Sequence, residues 1–203
     1  MNMHPSQLSG QPLYQVSGHE SSQPAPSSWV RRFAPLVPEY GNVLDLACGR
    51  GRHARFLATL GYGVEAVDRD GEALAALEGI ERITVRRADL EGGPWPYYGR
   101  TFDGIIVTNY LHRPLMPNLL GALGEGGVLI YETFMVGNER FGKPTDPAHL
   151  LRVGELLELV RKRFTVVAFE QGEVDSPRPA MVQRICVRRG NRFTLPVSPA
   201  PDA

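Results

Sequence analysis

Val43-Leu44-Asp45-Leu46-Ala47-Cys48-Gly49-Arg50-Gly51-Arg52-His53 runs from an apolar strand through a glycine turn into a helix start, and Val64-Glu65-Ala66-Val67-Asp68 follows as a second strand ending on an acid. Glycines at 49 and 51 remove side chains where a backbone has to turn sharply and come close to a ligand. Asp68 falls where a carboxylate accepts hydrogen bonds from ribose hydroxyls, so the segment reads as the wall of a nucleoside pocket. Asp45 is the odd residue, a carboxylate ending an otherwise apolar strand just before the turn. Nearby phosphates would repel it, whereas a cationic ligand makes it favourable.

Strand and helix signals alternate on both sides of this stretch. A short helix is predicted from Ser28, carrying Trp29, Phe33 and Leu36 or Val37 inward and ending near Pro38. Strand 43–47 leads to a helix over 51–60, with Phe56, Leu57 and Leu60 on one face and Gly61 as a left-handed cap. Strand 63–67 leads to a helix opened by Asp70, with Leu74 and Leu77 inward and Gly79 near its end. Further strands fall at 83–85, 105–107 and 128–130. A helix using Leu115, Leu119, Leu120 and Leu123 stands between the last two, with Pro117 in its first turn. Asp146-Pro147 reads as the cap and first residue of a later helical region, where Val153, Leu156, Leu157 and Val160 keep helical spacing. Strands near 165–170 and 180–188 close the chain, and the helix-free link 171–179 makes them an antiparallel hairpin. The pattern predicts an α/β fold: one doubly wound, mostly parallel, seven-stranded sheet with that hairpin at an edge.

Asp45, Asp68 and Asp89 terminate successive strands, whose C-terminal ends share the sheet edge where ligands bind. Each alone reads as a cap or turn residue; at matched strand ends beside a glycine turn, they read as a site. Residues 45–53 have the form D-x-x-C-G-x-G-R-H and resemble the glycine-rich motif, commonly D/E-x-G-x-G-x-G, of class I S-adenosylmethionine-dependent methyltransferases. The chain departs from the commoner form at Ala47. The resemblance covers about residues 40–190, includes the terminal hairpin, and is similar in its Gly-Arg-His turn and compact length to tellurite-resistance and thiopurine-type enzymes. It implies S-adenosylmethionine as cofactor, whose sulfonium and ammonium account for the sign of Asp45. It also implies that Asp45 and the backbone at Ala47, Gly49 and Gly51 border the methionine end. Asp68 would bind both ribose hydroxyls, with Arg69 across one adenine face. Asp89 and the Leu90 amide would read the adenine edge, and Asn109 would face the methionine end through its backbone. Arg52 is placed either to reach the cofactor carboxylate or to stand exposed at the helix start, and Cys48 reads as a small turn residue.

Methyl transfer is a direct displacement in which alignment and exclusion of water supply much of the rate. No fixed catalytic residue is therefore expected, and a base is needed only where the acceptor is protonated. The candidates beyond Asn109 are Tyr110, as pocket wall or core residue, and His112, as base, orienting group or simple helix cap. The loop after the fifth strand carries Phe134, Met135 and Phe141. There Arg140 is either a clasp for an anionic acceptor or an ordinary solvated residue. No Asn/Asp-Pro-Pro-Tyr/Phe motif, Pro-Cys nucleophile or paired-glutamate loop occurs, so a small-molecule acceptor is expected. Three other readings stand beside this one: a non-catalytic S-adenosylmethionine- or partner-binding protein, an RNA or protein methyltransferase, and a nicotinamide-dependent dehydrogenase. The last rests on Gly49-x-Gly51-x-x-Ala54 with Asp68, a loose dinucleotide fingerprint. Asp45, the Ala88-Asp89-Leu90 element and the hairpin favour the methyl donor over it.

At 203 residues with 22 basic and 22 acidic side chains, the chain suits one domain and shows no basic stripe for a phosphate backbone. Nucleic acid is not an expected partner. Cys48 and Cys186 are its only cysteines, which argues against a disulfide framework or a metal site. No long apolar span or signal pattern is seen, so the expected setting is cytoplasmic, with no membrane partner. Oligomeric state is not readable. Residues 1–27 are rich in Ser, Pro and Gln and read as a flexible arm, or as a lid anchored by Tyr14, ahead of a domain over 28–190 and a tail over 191–203.

Overall fold

Apolar residues of both parities in the central strands leave no wettable face, and such strands settle in a sheet covered on both sides. The computed structural model describes residues 24–191 and 195–196. The strands are β1 (Asn42–Leu46), β2 (Gly63–Asp68), β3 (Ile83–Arg87), β4 (Phe102–Thr108), β5 (Leu123–Phe134), β6 (Thr165–Val174) and β7 (Ala180–Arg188). They form a single sheet in the order β3-β2-β1-β4-β5-β7-β6. Pairings from β3 through β5 are parallel, and β7 runs antiparallel to both β5 and β6. The doubly wound sheet with its terminal hairpin is thus the architecture expected from the sequence.

The helices are α1 (Ser28–Phe33), α2 (Arg52–Thr59), α3 (Gly71–Ala75), α4 (Met116–Gly121) and α5 (Glu155–Val160). Strand parity sorts the core into two layers. Val43, Ile106, Val128, Ile130 and Cys186 face Trp29, Phe33, Leu57 and Leu74 of the first three helices. Leu44, Leu46, Ile105, Val107, Leu129 and Ile185 face Leu119, Leu120, Leu156 and Val160 of the last two. Asp45 shares the parity of Val43, so it points toward α2 rather than α4.

Several details differ from the sequence reading. α2 buries His53, Ala54 and Leu57, while Leu60 is exposed beyond its end. Leu123 belongs to β5, because α4 ends at Gly121 and the chain then pairs with Phe102. Asp146 does cap a turn, accepting from the Ala148 amide, but that turn is a separate 3₁₀ segment, Pro147–His149. Gly154, at φ 71°, restarts the helix after it and leaves Val153 exposed. Residues 1–23 of the expected arm, Tyr14 among them, and most of the expected tail lie outside the described residues. Among the described residues, no helix is long and apolar enough to cross a membrane.

Candidate functional site

The strand order reverses beside β1, with β2 on one flank and β4 on the other, which opens a crevice at the strands' C-terminal ends. Two non-glycine residues in the left-handed region, Ala47 (φ 52°) and Asn109 (φ 54°), turn the backbone away at the ends of β1 and β4. Asparagine tolerates that conformation; alanine adopts it at a cost, which explains why glycine is common at the first position of the related motif. Gly51 (φ 73°) caps α2, and a Cβ there would collide with the side chain of Leu77. This glycine serves helix packing rather than ligand approach.

Asp45 lies beneath the turn, 1% exposed, and its carboxylate accepts the Ala54 amide of α2 at 2.9 Å. Burial pushes its pKa up to about 7, against the pull of that hydrogen bond and of the Arg52 charge. Asp68 closes the turn from β2, taking the Gly49 amide at 2.8 Å and the Asp70 amide at 3.0 Å on separate oxygens. Asp89 is exposed, and hydrogen bonds from the Glu91 and Gly92 amides hold its carboxyl below the usual range.

Three cavities line up along this edge. The first, about 160 Å³, is walled by Ala47, Asp68, Arg69, Asp89, Leu90 and Tyr110. Among the described residues, the phenol oxygen of Tyr110 is buried without a hydrogen-bond partner, and burial raises its pKa. The second, about 630 Å³, shares Ala47 with the first and adds Gly49, Arg50, Arg52, His53, Thr108 and Asn109. The third, about 920 Å³, meets the second at Pro24, Arg52 and Asn109. It opens between residues 24–28, the ends of β5 and β7, and the β6–β7 turn.

The structure gathers Ala47, Gly49, Arg52, Asp68, Arg69, Asp89, Leu90 and Asn109 around the first two cavities, and sets Asp45 and Gly51 under them. Tyr110 walls the first cavity. His112 starts a 3₁₀ turn without capping it through its side chain. Arg140 is bound to Glu173 and lies 4.6 Å over the Phe141 ring, away from the walls of all three cavities. Cys48 is buried and unpaired, its thiol pushed up by burial.

Five contributors escaped the sequence reading. His53 Nε2 accepts the Ser27 amide at 3.1 Å, which leaves Nδ1 to donate to Thr108 Oγ1 at 3.3 Å. Ser27 also caps α1 and donates its hydroxyl to Glu132 at 2.7 Å. Glu132 faces Arg184 across β5–β7, and Glu170 faces Arg184 across β6–β7, so one guanidinium sits between two carboxylates. The available signal was a charged residue inside each of three apolar strands, Glu132, Glu170 and Arg184, at positions that pair once the register is known.

Residues 43–126 match the family model described as a methyltransferase domain. The chain is 30% identical over 135 residues to the protein-L-isoaspartate O-methyltransferase of Chlorobaculum tepidum, covering 61% of this chain and 59% of that one. It is 31% identical over 123 residues to the trans-aconitate 2-methyltransferase of Variovorax paradoxus, covering 58% and 46%. The chain thus spans about half the length of the curated relatives it matches. Among solved structures, TehB from Haemophilus influenzae superposes with a TM-score of 0.64 at 20% identity, over 77% of this chain and 60% of that one. The 1,6-didemethyltoxoflavin-N1-methyltransferase of Burkholderia thailandensis does so with a TM-score of 0.58 at 21% identity, over 80% and 76%.

Proposed function

We propose, from the premise that the chain belongs to the class I S-adenosylmethionine-dependent methyltransferases, that it moves the methyl group of S-adenosylmethionine to a nucleophilic atom of a small molecule. Residues 28–190 form the unit that does so. The observation that carries this reading is the contiguity of the three cavities. A small acid-lined cavity, a glycine-turn cavity and a larger part-apolar one share walls in that order along one sheet edge. That order suits a nucleoside, a methionine moiety and an acceptor.

The residues fit the cofactor. Asp68 spends one lone pair of each oxygen on an amide and keeps others for ribose hydroxyls. Arg69, Asp89 and Leu90 sit around an adenine, and the orphaned Tyr110 hydroxyl offers a further polar contact there. Arg52 is placed to take the amino-acid carboxylate, while Asp45 lies under a region that would carry the positive charge. S-adenosylmethionine supplies an activated methyl carbon, so the chain's own contribution is binding, alignment and exclusion of water. The buried, unpaired Cys48 and Cys186 fit the reducing cytoplasm.

Binding of S-adenosylhomocysteine, measured by titration calorimetry, tests the reading. Asp68→Ala is expected to lose about 1–3 kcal/mol of affinity through unpaired ribose hydroxyls, with Asp68→Asn falling between. Because Asp68 also holds the turn, each variant's unfolding midpoint is measured in parallel. Unchanged affinity in a folded variant, or tighter binding of nicotinamide dinucleotides by the wild type, would overturn the assignment. Tight binding with no S-adenosylhomocysteine release from thiols, amines, carboxylates, phenols or metalloid oxyanions would establish the non-catalytic reading instead.

A further inference from the structure

The third cavity is distinctive for what its walls contain. Among the described residues, no histidine, cysteine, lysine or tyrosine lines it. Its ionisable groups are Arg52, Arg178, Arg184, Glu132 and Asp175. Glu132 is occupied by the Ser27 hydroxyl and by Arg184, and Arg184 is shared with Glu170. Arg52 and Arg178 have no carboxylate within ion-pair distance among the described residues, and neither does Asp175 find a cation. Arg178 is exposed on the β6–β7 turn, its guanidinium 6.0 Å from the ring of Phe134. The remaining wall is apolar or small: Phe134, Val174, Pro177, Ala180 and Val182.

Two physical consequences follow. Arg184 is balanced by Glu132 and Glu170, and Arg52 by the cofactor carboxylate, which leaves Arg178 against Asp175 and makes a sulfonium at the seam beside Asn109 the uncompensated positive charge, so the occupied site attracts anions. An amine, phenol or alcohol is protonated near neutral pH and needs a base before it can attack. Of the two carboxylates on this wall, Glu132 is already neutralised by a cation and a hydroxyl, and Asp175 stands on the β6–β7 turn beside Arg178, not among the residues that the two cavities share. A carboxylate acceptor needs no base, because it is ionised already.

We propose that the acceptor is a small acid with two or more carboxylates, one methylated at the seam and another held by Arg178. A carboxylate oxygen forms the new bond to the methyl carbon as the sulfur–methyl bond breaks, and that bonding pair stays on sulfur. A methyl ester and neutral S-adenosylhomocysteine result, with no proton transferred. The inference rests on the methyl-transfer reading above. It gives Arg178 the role that the sequence reading offered to Arg140, whose charge is spent on Glu173.

The test measures S-adenosylhomocysteine release with succinate, fumarate, citrate and trans-aconitate, against amines, phenols and thiols of similar size. Turnover is expected with at least one of the acids, and label from a radioactive methyl donor should leave as methanol on alkaline hydrolysis, as an ester requires. Arg178→Glu is expected to raise the KM for that acid about tenfold or more, the loss of one charge-assisted contact. The Kd for S-adenosylhomocysteine and the unfolding midpoint should stay unchanged. Arg178→Lys should recover part of the loss. Turnover confined to amines, phenols or thiols, alkali-stable label, no turnover with any of the four acids, or an unchanged KM in Arg178→Glu would each overturn the proposal. Failure of S-adenosylhomocysteine to bind at all would instead remove the reading beneath it.

Discussion

Asp45 shows how one residue serves two neighbours. Its carboxylate holds the first turn of α2 through the Ala54 amide, and its burial lifts the pKa to about 7. A ligand cation above the turn would pull that pKa down again, so the apo site holds a proton that binding expels. Affinity for S-adenosylhomocysteine, which keeps the ammonium, should therefore strengthen as pH rises toward about 7. Calorimetry at pH 6 in phosphate and in Bis-Tris, which both buffer there but differ in ionisation heat, should differ by that heat for up to about one proton, and the same comparison between two alkaline buffers should show the difference fading by about pH 8.5. Asp45→Asn keeps an oxygen for Ala54 and should erase the buffer dependence. Identical heats in both buffers at pH 6 would show that no cation reaches this carboxylate.

The opening of α2 joins three segments: Asp45 from β1, His53 from the helix itself, and Ser27 from the segment before α1. His53 is 2% exposed, and burial pulls its pKa down to about 3, with Arg52 adding to the effect. The two buried groups act on stability with opposite sign. Between their unfolded and folded values, Asp45 makes the protein more stable as pH falls from about 7 toward 4. His53 must stay neutral in the fold, so its contribution is present above about 6.5 and is lost as pH falls toward 3. Each is worth about 1.4 kcal/mol per pH unit inside its window, so between pH 6.5 and 5 they nearly cancel. Urea unfolding should give a nearly flat wild-type stability over that range. Asp45→Asn should weaken toward acid and His53→Leu should strengthen, after an initial cost of about 1–3 kcal/mol for the unpaired Ser27 amide. Parallel pH slopes in all three proteins would rule out the compensation.

Alternating apolar strands and glycine breaks made the sheet and its hairpin visible in the sequence, because a two-sided parallel sheet imposes that pattern on every strand. The acids at strand ends were visible because each closes an apolar run and is followed by turn residues. What could not be read was pairing between distant segments. Glu132, Glu170 and Arg184 meet only through strand register, and Arg140, whose sequence position suits a clasp for an anion, is paired with Glu173 across a gap of 33 residues. Val153 kept helical spacing yet fell outside α5, because Gly154 breaks the backbone after it. The same kind of long-range tie closes the α4–α5 face. Arg113, just after β4, donates to both oxygens of Glu155 at 2.7 and 2.9 Å and to the carbonyls of Ala148 and Leu150, each at 2.8 Å. Those bonds hold the Glu155 carboxyl down to about 2, so its contribution to stability is present above about 4.5 and is lost as pH falls from there toward 2. Arg113→Ala removes four bonds and leaves Glu155, 15% exposed at its side chain, with Arg152 alone. The expected cost at pH 7 is about 2–3 kcal/mol, since bonds to charged groups are the costly ones to lose. In a domain of this size, that lowers the thermal midpoint by about 5–10 °C. None of these residues walls the three aligned cavities, so the Kd for S-adenosylhomocysteine should be unchanged at a temperature where the variant is folded. An unshifted midpoint would mean that the tie contributes nothing to the fold, and a lost Kd with the fold intact would mean that the two faces of the sheet are coupled.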